Sequence, residues 1–197
     1  MNLVAVGTVA FDDIQTPYGH AGKVIGGACT YIALAASYFL TPVRIVSVVG
    51  DDFPEETLEY LKKRGVDLEG LQIKEGEKSF YWAGRYHDNF ASRDTLDTQL
   101  NVLADFDPIL PETYRRPDVL MLGNLTPKIQ MRVLEQVTKR PELVVLDTMN
   151  FWMDIALSDL HEVLKQVDVL TINDEEARQL SGEHSLVKAA KVIHAMG

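Results

Sequence analysis

Two adjacent glycines, Gly26 and Gly27, lie directly before a stretch of small and apolar residues that begins at Ala28. Glycine adopts backbone angles closed to other residues and lets a ligand approach the main chain. If a helix begins at Ala28, its first amides point toward such a ligand, and they suit hydroxyl or anionic oxygens. The pair by itself favours a tight strand-to-helix turn, so its neighbours must decide whether it binds a ligand.

A carboxylate, Asp12, lies in the loop that we predict over 7–13, after the first apolar run of the chain. An ionised carboxylate accepts several hydrogen bonds, which suits the hydroxyl donors of a polyol. Aspartate is also common as a turn cap at the end of a strand. Both interpretations of Asp12 are open at this point.

A second polar group is formed by Asn173 and Glu176, which are three residues apart. Asparagine before a helix, with glutamate at the third helical position, is typical of a capping box. This spacing therefore predicts a helix that begins after Asn173, and alone it favours a structural role.

The elements that position these residues are predicted by short apolar runs alternating with helical patterns. An alternation of this kind indicates a parallel sheet with right-handed crossovers and helices on both faces. We therefore predict an α/β fold with a doubly wound, mainly parallel sheet. The predicted strands are 3–6, 43–49, 119–122, 143–146 and 169–172, and the predicted helices are 28–40, 54–64, 126–137, 158–167, 174–180 and 185–196.

Ligands of such sheets collect at the carboxyl ends of the strands. Polar residues occupy each of these exits: 7–12, 50–52, 123–124, 147–150 and 173–176. Of these, we expect Asp51 and Asp52 to cap the following helix or brace the loop rather than bind a metal.

A separate small sheet is predicted where the helix-strand alternation stops. Residues 71–74 and 79–86 have strand composition around the turn residues 75–77, and the second run carries the aromatic residues Tyr81, Trp82 and Tyr86. We assign both runs, with 14–25, to a lid formed by about 14–25 and 71–103, within one domain of residues 1–197 that is incomplete at its carboxyl end. The aromatic side chains either cover a sugar or nucleoside ring or fill the inner face of the lid or a dimer contact.

Composition excludes several classes of function. The formal net charge is −10, which disfavours nucleic acid or an anionic membrane as the main partner. The sequence has neither the basic start of a signal peptide nor about eighteen consecutive apolar residues. The single cysteine, Cys29, cannot form an intrachain disulfide. We expect a cytoplasmic protein that binds a small molecule.

Taken together, the order and spacing of five motifs over the whole chain resemble the PfkB family of carbohydrate kinases, which have the ribokinase-like fold. The motifs are Gly7-Thr8-x-x-x-Asp12, Gly26-Gly27, Gly50-Asp51-Asp52-Phe53, Asp147-x-x-Asn150 and Asn173-x-x-Glu176. The resemblance implies ATP-dependent phosphorylation of a hydroxyl on a sugar or nucleoside, with Mg²⁺ as cofactor and a monovalent cation as a further one in the full-length enzyme. A homodimer formed through the lid is expected if the aromatic side chains of the lid make a dimer contact.

The resemblance implies two sets of site residues. The substrate would be bound by Asp12, Gly26, Gly27, Tyr31 and Asn124. Mg²⁺ and phosphate would be organised by Asp147, Asn150, Asn173 and Glu176. Tyr31 stands where the family often has asparagine, and Ala28 stands where ribokinases carry lysine, so the resemblance identifies the family better than the sugar.

The family's Gly-Ala-Gly-Asp motif, whose aspartate is the catalytic base, does not occur in this sequence. We therefore expect an amino-terminal portion of a kinase, with no catalytic residue within the chain and no activity by itself. One alternative is a non-catalytic sugar- or nucleoside-binding module. A dinucleotide-dependent enzyme is disfavoured because no Gly-x-Gly-x-x-Gly follows the first strand.

Overall fold

The computed structural model describes residues 1–88 and 92–197. Its strands are β1 (Leu3–Val6), β2 (Ala10–Thr16), β3 (Gly19–Gly26), β4 (Val43–Gly50), β5 (Val66–Lys74), β6 (Tyr81–Tyr86), β7 (Arg93–Gln99), β8 (Val119–Leu122), β9 (Leu143–Asp147) and β10 (Val169–Thr171). Its α-helices are α1 (Ala28–Ala36), α2 (Glu55–Lys63), α3 (Pro127–Gln136), α4 (Asn150–Ile155), α5 (Leu157–Leu164), α6 (Asp174–Ser181) and α7 (Leu186–His194). Single 3₁₀ turns occupy Asn101–Leu103 and Glu112–Tyr114.

The strands form a main sheet of six, in the order β10-β9-β8-β1-β4-β5, and a small sheet of four, in the order β3-β2-β6-β7. Pairing in the main sheet is parallel between β10 and β9, β9 and β8, β8 and β1, and β4 and β5. The small sheet is mixed, because β2 is antiparallel to β3 and parallel to β6. The predicted α/β class, with a parallel main sheet and a separate small sheet, is confirmed.

The chain divides into two compact units. The first comprises Met1–Val6 and Pro108–Gly197. It contains β1, β8, β9 and β10. The core side chains of the first three strands are almost fully buried, as Val4, Leu120 and Leu146 illustrate with 0% exposure, whereas β10 lies at the edge of the sheet and has no buried residue. Complete burial explains why β1 is a continuous apolar run in the sequence. Thr126 caps α3 by accepting a hydrogen bond from the Ile129 amide, directly before the proline that opens the helix.

The second unit comprises Gly7–Asp107. It contains β4 and β5, the small sheet, and helices α1 and α2. Strand β4 is buried along most of its length, whereas both faces of β7 are exposed. The predicted homodimer contact through the small sheet stays a prediction.

Two assignments made from the sequence are wrong at the level of strands. Residues 71–74, predicted in the lid, belong to β5 and pair with β4 in the main sheet. Strand β5 lies at the edge of that sheet and keeps exposed residues such as Ile73, so it lacks the apolar composition of its neighbours. Asp12 and Asp13, predicted in a loop, lie within β2 of the small sheet. Residues 89–91 of the predicted lid segment lie outside the described residues.

Among the described residues, no helix has the length and apolar character needed to cross a membrane.

Candidate functional site

The first group of predicted site residues, Asp12, Gly26 and Gly27, is called the acceptor cluster here. Antiparallel pairing of β2 with β3 sets Asp12 opposite Val24 and Ala10 opposite Gly26. The Asp12 carboxylate consequently lies against Gly26, where an added Cβ would be 2.1 Å from Asp12 Oδ2. The structure therefore brings together Asp12 and the glycine pair, as predicted.

Gly27 follows β3 and leads into α1 with φ of 93°, a conformation that favours glycine. An added Cβ at this position would also lie 2.3 Å from the carbonyl oxygen of Thr8. The Gly27 amide donates a hydrogen bond to the Asp12 carboxylate. Burial raises the pKa of Asp12, and this hydrogen bond offsets only part of the rise.

The first amides of α1 are not open to a ligand as the sequence had suggested. The Ala28 amide donates to Thr8 Oγ1 at 3.1 Å, and the Cys29 amide donates to the Thr8 carbonyl at 2.9 Å. Two oxygens of Thr8 therefore accept the hydrogen bonds that a ligand was expected to accept at the start of α1. The hydrogen-bond acceptor of the cluster is the Asp12 carboxylate, to which the Gly27 amide already donates. What the two glycines offer a ligand is close approach to the main chain.

Tyr31 lies on the first turn of α1, and 59% of its surface is exposed. Its hydroxyl donates a hydrogen bond to the carbonyl of Ile25 at 3.0 Å. The ring is thus held against the strand that enters the glycine pair. A substrate-binding role for Tyr31 stays a prediction.

The second group, called the carboxylate cluster here, consists of Asp147, Asn173 and Glu176. Asp147 ends β9, and its carboxylate accepts hydrogen bonds from the amides of Thr148 and Asn124. Burial raises the pKa of Asp147 to about 6, and the negative charge of Glu176 contributes to the rise. The two carboxylates predicted from separate strand exits are therefore close enough to repel one another.

Asn173 and Glu176 form the capping box that their spacing predicts. Asn173 Oδ1 accepts from the Glu176 amide, and Glu176 Oε2 accepts from the Asn173 amide, both at 2.9 Å. Only 6% of the surface of Glu176 is exposed. The cap therefore fixes a buried carboxylate beside Asp147.

Asn124 and Asn150, the remaining predicted residues, are held by other side chains. Asn124 Oδ1 accepts a hydrogen bond from Trp152 Nε1 at 2.7 Å, and its amide nitrogen contacts Met149 Sδ at 3.1 Å. Asn150 donates to Gln179 on α6. Their predicted roles in binding substrate and phosphate stay predictions.

Sequence reasoning missed Gln130, whose side chain is buried on α3. Its Nε2 donates to the carbonyl oxygens of Gly123 at 3.0 Å and Asp147 at 3.2 Å. Gln130 thus ties together the ends of β8 and β9. A glutamine within an amphipathic helix carries no local signal for such a contact.

The loop after β4 is braced by its acidic residues, as predicted. Asp52 Oδ1 accepts from the amide and the hydroxyl of Ser79, each at 2.7 Å, and Asp51 Oδ2 accepts from the Gly76 amide at 2.8 Å. Among residues 1–88 and 92–197, no group of three or more histidine, cysteine or acidic side chains is arranged to hold a metal ion.

Comparison with known proteins identifies one family. The model described as "pfkB family carbohydrate kinase" matches residues 2–197. The cytidine kinase of Thermococcus kodakarensis is 27% identical over 199 residues, which cover 100% of this chain and 70% of that protein.

Two solved structures share the fold. An E. coli protein assigned as Ribokinase II, in complex with ATP and Mg²⁺, has a TM-score of 0.77 and 16% identity, covering 100% of this chain and 70% of that one. The Arabidopsis thaliana ribokinase complexed with ribose and ATP has a TM-score of 0.73 and 18% identity, covering 100% and 69%.

Proposed function

This chain belongs to the pfkB family of carbohydrate kinases, and we propose that the protein containing it transfers the terminal phosphoryl group of ATP to a hydroxyl of a sugar or nucleoside. The observation that carries the proposal is the acceptor cluster: a partly buried carboxylate, Asp12, that lies against Gly26 and accepts a hydrogen bond from the Gly27 amide. The relatives agree with this substrate class, since one is a cytidine kinase and another is complexed with ribose.

In this proposal Asp12 binds and orients the acceptor. Its carboxylate accepts hydrogen bonds from substrate hydroxyls, and the Gly27 amide fixes its direction. Hydrogen bonds to a charged group contribute about 1.5–3 kcal/mol each, which is enough to order a polyol. Gly26 and Gly27 allow the sugar ring to approach the main chain.

The carboxylate cluster fits a magnesium ion. Mg²⁺ prefers hard oxygen ligands and is held by one or two carboxylates while it keeps several waters. Asp147 and Glu176 supply two such groups; burial raises the pKa of Asp147, the charge of Glu176 adds to the rise, and a cation would relieve that second contribution. The ion supplies charge neutralisation for the phosphates of ATP, and Asn173 holds Glu176 in place through the capping box.

The proposal assigns no general base to this sequence, which lacks the Gly-Ala-Gly-Asp motif. A non-catalytic binding module is the alternative, and turnover distinguishes the two.

The test is to incubate the full-length protein with ATP, Mg²⁺ and a panel of sugars and nucleosides, and to follow ADP and the phosphorylated product. Phosphorylation of one substrate class supports the proposal. Binding without turnover across the panel would identify the binding module and overturn the kinase assignment.

A paired substitution tests the role of Asp12. Asp12→Ala should weaken acceptor binding by about tenfold or more, because it removes charge-assisted hydrogen bonds. Asp13→Ala is the matched control, since the next residue of a strand points to the opposite face. Undiminished binding by Asp12→Ala would refute the assignment.

A further inference from the structure

A row of four side chains crosses one face of the small sheet. The strand register pairs Asp12 with Val24 on β3 and with Trp82 on β6, and it pairs Trp82 with Thr98 on β7. Paired residues of neighbouring strands share a face, and the strands are about 4.8 Å apart. Trp82 is therefore the side chain beside Asp12 on the face that carries the acceptor cluster.

The indole of Trp82 is fixed on that face. Its Nε1 donates a hydrogen bond to Thr95 Oγ1 on β7 at 3.2 Å. The benzene end of the ring lies over Gly84, two residues along the same strand, where an added Cβ would be 2.0 Å from the ring. The absence of a side chain at Gly84 thus makes room for the indole.

A positive charge, the guanidinium of Arg93, lies near the Trp82 ring. The guanidinium carbon of Arg93 is 5.9 Å from the ring centroid, near the outer limit of a cation–π contact. A guanidinium and an indole both stack on flat aromatic groups. The neighbourhood of Asp12 thus offers one acceptor for hydroxyls and, one strand away, a surface for a planar ring.

We infer that Trp82 stacks on the base of a nucleoside whose ribose hydroxyls are bound by Asp12, so that a nucleoside is the acceptor class of this site. The inference rests on the proposed function for the position of the acceptor, and it adds the part of the substrate that Asp12 does not contact. A nucleoside joins a polyol to a planar aromatic ring and uses both surfaces, whereas a free sugar uses only Asp12. Trp82 is then a specificity-determining residue.

The experiment measures binding of cytidine, uridine and D-ribose to the full-length protein by calorimetry without ATP. Base–aromatic stacking predicts that Trp82→Leu weakens nucleoside binding by about 5- to 150-fold and leaves ribose binding unchanged. Trp82→Phe should retain most of the nucleoside affinity because it keeps a ring face. Tyr81→Leu is the matched control, an aromatic residue on the opposite face of the same strand.

A second variant retains Trp82 but displaces its indole ring. Gly84→Ala places a methyl group where the indole lies, so it should weaken nucleosides selectively as well. Equal weakening of nucleosides and ribose by Trp82→Leu, or no weakening at all, would overturn the inference and leave Trp82 as a packing residue.

Turnover separates this inference from the proposed function. Phosphorylation of ribose by a protein that binds no nucleoside overturns the inference and keeps the kinase. Nucleoside binding that depends on Trp82, without phosphorylation of any substrate, overturns the kinase and keeps the inference. Binding of none of the three compounds overturns the inference.

Discussion

Replacement of Asp147 by asparagine should stabilise the protein at about pH 7.5 and have little effect at about pH 4. Burial, with the charge of Glu176, raises the pKa of Asp147 from 3.8 to about 6. Between these values the folded protein binds this proton more tightly than the unfolded chain does. The contribution of Asp147 to the free energy of unfolding therefore falls as pH rises through this window, and it stays low above it.

The size of the effect follows from the pKa difference. At about 1.4 kcal/mol per pH unit, the change from 3.8 to about 6 corresponds to about 3 kcal/mol for a fully buried carboxylate. Asp147 is partly exposed, so solvent screening reduces the expected value to about 1–2 kcal/mol. Asparagine keeps an oxygen that can accept from the Thr148 and Asn124 amides, which limits the loss of hydrogen bonding.

The assay is urea unfolding at several pH values between about 4 and 7.5, without divalent cations. Glu176→Gln is a matched variant, because glutamine at this position preserves the capping box while removing the charge. Glu176→Gln should lower the pKa of Asp147 in the folded protein, and so narrow the pH range over which the stability depends on this group. Asp159→Asn, at a half-exposed aspartate of α5 that lies 3.9 Å from Lys128 Nζ, is the control for the loss of one carboxylate elsewhere.

The reasoning would be refuted if Asp147→Asn were less stable than the wild type at about pH 7.5, or if the difference were the same at every pH. The same unfolding experiment with Mg²⁺ is a second test, because the ion should favour the wild type over Asp147→Asn. If Asp147 and Glu176 hold Mg²⁺, the ion should raise the free energy of unfolding of the wild type in proportion to its occupancy and raise that of Asp147→Asn much less.

Two further substitutions test the surroundings of the site. Gly26→Ala should abolish acceptor binding measured by calorimetry, because the new Cβ would displace the Asp12 carboxylate, now 2.1 Å from that position; unchanged affinity would contradict the placement of the cluster. Ser79→Ala should lower the free energy of unfolding by about 1–3 kcal/mol in urea titrations, because the buried hydroxyl bonds Asp52 and a strand amide. Exposed Ser158→Ala is its control, and an equal effect of the two would contradict this account.

Strands buried on both faces were predictable from the sequence because burial imposes an apolar composition on every residue. The runs at β1 and β4 illustrate this. Strand β5 was not assigned correctly, because its edge position leaves polar residues such as Asp67 and Glu69 in the strand. Asp12 was placed in a loop since a polar strand of a small sheet looks like a turn in the sequence.

Within the candidate site, contacts between residues close in the sequence were predictable, and contacts between distant residues were not. Asn173 and Glu176 are three residues apart, so a single turn of backbone determines their contact and the sequence predicts it. By contrast, the Ala28 amide at the start of α1 donates to the hydroxyl of Thr8, which is twenty residues away in the chain. No local pattern in the sequence indicates this contact. Contacts with this distant partner therefore exclude the Ala28 and Cys29 amides as donors to a ligand, which the sequence alone could not show.

The capping box and a metal-organising role for Glu176 are compatible, and each supports the other. A glutamate free in solution samples many rotamers, and ordering it costs about 1.5–2 kcal/mol. The bond from the Asn173 amide to Glu176 Oε2 fixes that side chain within the fold, before any ligand binds. The same bond holds the charge where it raises the pKa of Asp147. Loss of the cap should therefore lower the pKa of Asp147 together with the stability of α6, which links the structural role of Asn173 to the electrostatics of the cluster.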